Sequence, residues 1–135
     1  MSPLKQVFYI SRVAEGVDPR AVRNILSISR RNNRMLDVTG CLTYTGRHFA
    51  QILEGREDAV EQLKRRITDD HRHTDFQLVL ERPLTLREYP LWSMAFLNSE
   101  QLADDLEGLF GARPTPRTAV AMMGRLKPDT VMGAL

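Results

Sequence analysis

VTGCLTYTGRHFAQILEG, from Val38 to Gly55, decides the fold. Val38, Gly40, Leu42 and Tyr44 alternate with Thr39, Cys41 and Thr43, the period of two that marks a strand. Thr45-Gly46 supplies a turn, His48 to Glu54 reads as the returning strand, and Gly55 closes it, so the stretch predicts a β-hairpin. Phe49, Ala50, Ile52 and Leu53 make the second strand apolar on both faces, yet Gln51 stands in their midst. An amide carries two donors and a two-lone-pair acceptor, and burying it without partners costs about 1–3 kcal/mol. The stretch thus demands a partner for Gln51.

Outward from the hairpin, helices and strands alternate. Val7 to Ser11 is a short β-prone run. Asp18-Pro19 predicts a helix start, Asp as the cap and Pro at the first helical position. Ala21, Val22, Ile25, Leu26 and Ser29 recur at helical spacing until RRNNR, residues 30 to 34, closes the segment. After the hairpin, Ala59, Val60, Leu63 and Ile67 predict a second amphipathic helix to about Asp70. Phe76 to Leu80 reads as a fourth strand, Pro83 and Pro90 bracket a polar connection, and Trp92 to Leu97 reads as a fifth. The order β-α-β-β-α-β-β predicts an α+β, ferredoxin-like fold, its sheet covered on one face by two helices. A C-terminal helical extension follows. Ser99 is expected to cap a helix carrying Leu102, Leu106, Leu109 and Phe110. Gly111, Pro114 and Pro116 break the chain, and Val120, Met123 and Leu126 form a further short helix.

Composition narrows the class. The 135 residues suit one domain, 42% hydrophobic and 27% charged, with a net charge of +2 that makes no case for nucleic acid. Cys41 is the only cysteine, which rules out an intrachain disulfide and any CxxC site. No run resembles a signal peptide or a membrane span. The expectation is a cytoplasmic protein with neither a membrane nor a nucleic-acid partner. DDHRH, Asp69 to His73, holds ligand-type residues without the spacing of a known metal motif.

Strand parity gathers the polar residues. Tyr9 shares a face with Val7 and Ser11, Gln51 with Phe49 and Leu53, and Trp92 with Met94. If Phe49 and Leu53 face the helices, Gln51 does too. Asn32-Asn33 ends the first helix, and Ile25 and Ile67 project from the two helices. Together they could surround a planar hydrogen-bonding ligand. Taken singly, each has an ordinary structural reading: Tyr9 as packing, Asn32 and Asn33 as helix-end residues, Trp92 and Met94 as core, and Gln51 as an edge-strand residue in contact with water.

FYIS, NN, TGCLTY, FAQILEG, DDHRH and YPLWSMAF, in this order over about residues 5 to 97, resemble the BLUF family, the flavin-based blue-light sensors. The resemblance implies a noncovalently bound FAD, with FMN or riboflavin as possible substitutes. It implies Tyr9 as electron donor, Gln51 as the amide between Tyr9 and the flavin ring, and Trp92 and Met94 as the fifth-strand pair that reports the light state. Asn33, with Asn32 beside it, is implied at the pyrimidine edge, and Ile25 and Ile67 on the two ring faces. Arg66 and Asp70 are implied near the flavin side chain, and His73 near its ribityl and phosphate end. Ser29 and Phe49 complete the implied binding set. Tyr89 stands where the family often has phenylalanine. Residues 1–97 are then the photosensor domain and 98–135 an extension, the chain being expected to be a short stand-alone member. It would signal through its tail, a homo-oligomer or a downstream signalling protein, and would not be an enzyme. Two other readings stay open: a small acylphosphatase-like enzyme, for which the glycine-rich anion loop is missing, and an interaction module without flavin.

Overall fold

The computed structural model describes residues 3–90 and 93–126. The hairpin forms as its alternation dictates, from β2 (Thr39–Tyr44) and β3 (His48–Arg56), paired antiparallel with Leu42 opposite Gln51. β3 continues through Gly55, where the sequence predicts an end, because it keeps a partner there: Gly55 faces Lys5 of β1 (Leu4–Val13). Gly40 lets the hairpin close. Its φ is +155°, and a Cβ on it would lie 1.8 Å from the Ile52 carbonyl oxygen.

The five-stranded sheet has the order β4-β1-β3-β2-β5. All neighbours are antiparallel except β2 and β5 (Ala95–Asn98), which run parallel. The sheet is therefore mixed, and β3, the strand of Gln51, lies at its centre. The edge strand β4 (His73–Leu84) is longer than predicted and includes Pro83. An edge strand tolerates a residue without an N–H, and β4 is half exposed, so its hydrophobic signal is diluted. β5 begins three residues later than expected. The part of the prediction resting on Trp92 lies outside the described residues.

Two helices cover one face. α1 (Ala21–Leu36) and α2 (Glu57–Thr68) pack Val22, Ala59, Val60 and Leu63 on Val7, Leu42, Phe49 and Leu53. α1 is not capped by Asp18. The Asp18-Pro19-Arg20 turn leads into it, the Asp18 carboxylate accepting the Arg20 N–H at 2.8 Å, and the helix runs past RRNNR to an αL stop at Asp37. In α2, Glu57 and Asp58 occupy the first turn and Arg65 and Arg66 the last, matching the helix dipole at both ends.

The opposite face carries Phe8, Ile10, Cys41, Ala50, Ile52 and Ala95, and the C-terminal segment covers it. A 3-10 turn (Glu100–Leu102), α3 (Ala103–Glu107) and α4 (Pro116–Leu126) bury Leu102, Leu106, Ala119, Met122, Met123 and Leu126 there. Ser99 makes no side-chain cap, and Pro116 opens α4 instead of breaking the chain. Val120, expected in the buried stripe, is 38% exposed because the helix turns Ala119 and Met123 inward. Polar contacts fix the same docking. Glu107 meets the Arg12 guanidinium at 2.7 Å and the buried His48 ring, and those two partners hold its carboxyl down at about 2. Leu106→Ala, at a site with no exposure, is expected to lower unfolding free energy by about 2–5 kcal/mol, as denaturant titration will read. It should leave the cavity on the other face unchanged.

Candidate functional site

Between α1, α2 and the sheet lies a cavity of about 260 Å³. Volumes of about 300–1,000 Å³ are usual for small-molecule pockets, so this one suits a flat ring system with its side chain at the mouth. The sheet supplies the floor through Tyr9, Leu42, Phe49 and Gln51, α1 one wall through Ile25, Ile28, Ser29, Asn32 and Asn33, and α2 with its following turn the rest.

The floor is built on register. Tyr9 of β1 sits directly opposite Gln51 of β3. The Tyr9 hydroxyl donates to Gln51 Oε1, and Gln51 Nε2 donates to the Met94 sulfur at 3.5 Å. Here is the partner that the sequence demanded: both ends of the buried amide are held by protein, a phenol on one side and a thioether on the other. Gln51 is 3% exposed in the central strand, which removes the reading of an edge glutamine in contact with water. Burial and the negative charge of Asp70 push the Tyr9 phenol well above its usual range, so at neutral pH it keeps its proton and stays a donor. Phe76 stacks on the Tyr9 ring, centroids 4.8 Å apart. Register shifts in the β1–β4 pairing fall on either side of Tyr9, between Phe8 and Tyr9 and between Ile10 and Arg12.

The rim is polar. Asn33, 2% exposed, donates from Nδ2 to the Ser93 carbonyl at 2.7 Å, and Arg30 donates from Nε to the Met94 carbonyl at 3.0 Å. The end of α1 is thereby tied to the chain entering β5. The Asn33 bond uses one of the two amide N–H groups. Asp70 accepts from Arg72 at 2.6 and 2.9 Å, and this pairing draws its carboxyl below the usual range. His73 has both ring nitrogens engaged, Nδ1 with the Ser11 hydroxyl at 2.7 Å and Nε2 with the Ile67 carbonyl. A carbonyl only accepts, so Nε2 carries the proton. DDHRH therefore serves as a buttress for the cavity mouth, and no group of three or more His, Cys, Asp or Glu able to hold a metal occurs among the described residues.

The cofactor-binding set that the resemblance implies lines this one cavity: Ile25, Ser29, Asn32, Asn33, Phe49, Gln51, Arg66, Ile67, Asp70 and His73, with Tyr9. Met94 stands behind Gln51, fully buried, and Trp92 lies outside the described residues. Sequence reasoning missed Ile28, Leu42, Leu63 and Arg72. Leu63 is within reach of the sequence, since it shares a helix face with Ile67, whereas Leu42 comes inward through the hairpin register that sets it opposite Gln51. Arg72 and the stacking Phe76 depend on the turn and bulges around β4 and have no local signature.

Comparison with known proteins converges on one family. The family model described as BLUF, sensors of blue-light using FAD, matches residues 4–95. The chain is 35% identical over 103 residues to the photoactivated adenylate cyclase subunit beta of Euglena longa, an alignment covering 76% of this chain. It is 37% identical over 70 residues, 52% of its length, to the blue light- and temperature-regulated antirepressor BluF of Escherichia coli (strain K12). The alignments span only 12% and 17% of those proteins' lengths. Among solved structures, the dark state of BlrB, a BLUF protein, superposes with a TM-score of 0.78 at 36% identity, over 93% of this chain and 96% of that one.

Proposed function

This chain belongs to the BLUF family, sensors of blue light using FAD, and from that premise we propose that light drives an electron and proton exchange between Tyr9 and its surroundings that leaves Gln51 rearranged. BLUF domains bind flavin; the finer reading is that this one holds FAD noncovalently. The single observation that carries the proposal is the chain of contacts Tyr9–Gln51–Met94 across the cavity floor.

The residues present fit a flavin. Ile25 and Ile67, one from each helix, suit the two faces of a flat ring, and Asn33, Asn32 and Gln51 bring amide donors and acceptors to its polar edge. Arg66, at the exposed mouth, suits a phosphate-bearing side chain, with Ser29, Asp70 and His73 nearby. When bound, the flavin supplies blue-light absorption and a strongly oxidising excited state. Tyr9 is placed to give up an electron, and Gln51 Oε1 is the first acceptor in reach of its proton. Return of the electron to Tyr9 leaves no net oxidation. What differs afterwards is the amide, which can exchange its donor and acceptor ends by rotation or tautomerisation. Reversed, it no longer donates to Met94, so the segment entering β5 loses a contact on the cavity side. In a low-dielectric site such a change can bias a neighbouring element, provided its two arrangements lie within a few kcal/mol.

Residues 1–97 form the sensor on this reading, and 98–135 an extension that carries the signal to a second copy or a downstream protein. Its support is the packing of Leu106, Met123 and Leu126 on the back of the sheet whose front holds Gln51. No described helix is long and apolar enough to cross a membrane.

Asn33→Ala tests the pocket. It removes an amide from the ring's edge and releases Ser93, a loss of about 1–3 kcal/mol, so the variant should purify with reduced flavin. Acid release and chromatography of the pigment will measure that occupancy and separate FAD from FMN and riboflavin. Undiminished occupancy would remove Asn33 from the site.

A further inference from the structure

Glu54 lies three residues beyond Gln51 on β3 and projects from the opposite side of the strand. It has no exposure. One carboxylate oxygen accepts the backbone N–H groups of Glu88 and Tyr89, both at 2.8 Å, and the other accepts Gln6 Nε2 at 2.6 Å. Gln6, equally buried, turns its carbonyl to Arg82 Nε at 2.7 Å, and Arg82 pairs with the Glu88 carboxylate at 2.8 and 2.9 Å. Arg87 donates to the Glu54 backbone carbonyl at 3.2 Å. A short stretch of β3 thus grips residues 87–89 from several sides.

The connection from 87 to 94 has a second anchorage. Ser93 and Met94 are held through their carbonyls by Asn33 and Arg30, and the Met94 sulfur receives Gln51. β3 therefore holds both ends of the connection, Glu54 at its start and Gln51 at its close. Burying a carboxylate raises its energy, and its carboxyl is pushed above the usual range by that burial. No cationic side chain makes a direct hydrogen bond to it among the described residues. Three converging N–H donors are its compensation, and none belongs to the light-driven exchange proposed above.

We propose that Glu54 is a positioning residue that tethers Glu88 and Tyr89, upstream of Met94, and so sets how readily Met94 returns to Gln51 after light. The inference rests on the Gln51 rearrangement as its premise. Its logic is mechanical: a connection fixed at 88 and 89 can shift near 94 only over a short length, and a loosened one has more arrangements in which Met94 lies away from the amide.

Glu54→Gln breaks the tether with minimal change of volume. Whichever way the new amide turns, one of its N–H groups meets a donor, either Gln6 or the two backbone amides. Gln6 Nε2 also donates to Glu88 at 3.1 Å, so the triple exchange Gln6→Glu, Glu54→Gln and Glu88→Gln restores matching ends: residues 54 and 88 then donate to residue 6, which still accepts from Arg82. Two readouts are taken on dark-adapted, flavin-bound full chain. Hydrogen exchange at the Glu88 and Tyr89 backbone amides, the two that Glu54 accepts, follows the tether without any photochemistry. Dark recovery of the red-shifted state follows the switch. Glu54→Gln should keep its flavin, speed exchange at those two amides about threefold or more, and slow recovery by about fivefold or more, the loss of roughly one hydrogen bond. The triple exchange should return both to within about twofold of the original protein, as restored pairing requires. Exchange and recovery unchanged in Glu54→Gln would overturn the proposal. So would a single variant that sheds flavin together with a triple exchange that fails to restore it, for Glu54 would then belong to the core alone. If the unmutated protein shows no red shift, the photochemical premise fails, while the amide exchange still judges the tether.

Discussion

Tyr9→Phe is expected to bind flavin normally, fluoresce more brightly, and give no stable red shift under blue light. The substitution keeps the ring that stacks on Phe76 and the volume buried in the floor. It removes the hydroxyl that the proposed exchange uses as its source of electron and proton. The Tyr9 hydroxyl donates to Gln51, and burial together with Asp70 keeps it protonated at neutral pH. Without it Gln51 Oε1 loses its donor, a cost of about 1–3 kcal/mol in stability, which a domain of ordinary stability survives. The excited flavin, no longer quenched by the phenol, should return its energy as light. Fluorescence yield and the light-minus-dark spectrum measure both effects. A red-shifted state of ordinary size in Tyr9→Phe would transfer the donor's role to another residue, Trp92 being the first to test.

Gln51→Leu should have the same photochemical outcome for a different reason. Leucine matches the glutamine in bulk and suits Phe49, Leu53 and Leu42, among which it would lie. It also ends the desolvation cost of a buried amide, though Tyr9 then loses its acceptor. Folding and flavin binding should persist, with thermal stability within about 1–2 kcal/mol of the original. An apolar side chain has no donor and acceptor ends to exchange, so no lit-state spectrum should form. A reversible red shift of full size in this variant would make Gln51 a packing residue.

Much of this architecture can be read from the chain because the sheet obeys parity. Tyr9, Phe49, Gln51 and Leu53 face the helices, and Phe8, Ile10, Ala50 and Ile52 face the other way, as a period of two requires. Gln51 was legible because a lone amide in an apolar strand conflicts with its neighbours, and such conflicts mark functional positions. What parity cannot supply is who pairs with whom. The sequence of 73–84 looks like a short strand and a loop, since its exposed edge alternates weakly and Pro83 argues against a strand. The two anchorages of the 87–94 connection were equally hidden. Glu54 reads as one more acidic residue before a glycine, and only the fold brings Gln6, Glu88 and Tyr89 to it across 34 to 48 residues of chain. The C-terminal stripe of Leu102 and Leu106 announced burial without a destination. The uncovered apolar face of the sheet provides it.

The most direct test of the whole account is a light-minus-dark absorption spectrum of the purified protein. The protein should be yellow, and blue light should move its flavin bands reversibly to longer wavelength without bleaching them, because a hydrogen bond to the ring changes and no covalent bond forms. A colourless protein, or a bound flavin whose spectrum light leaves unmoved, would contradict it.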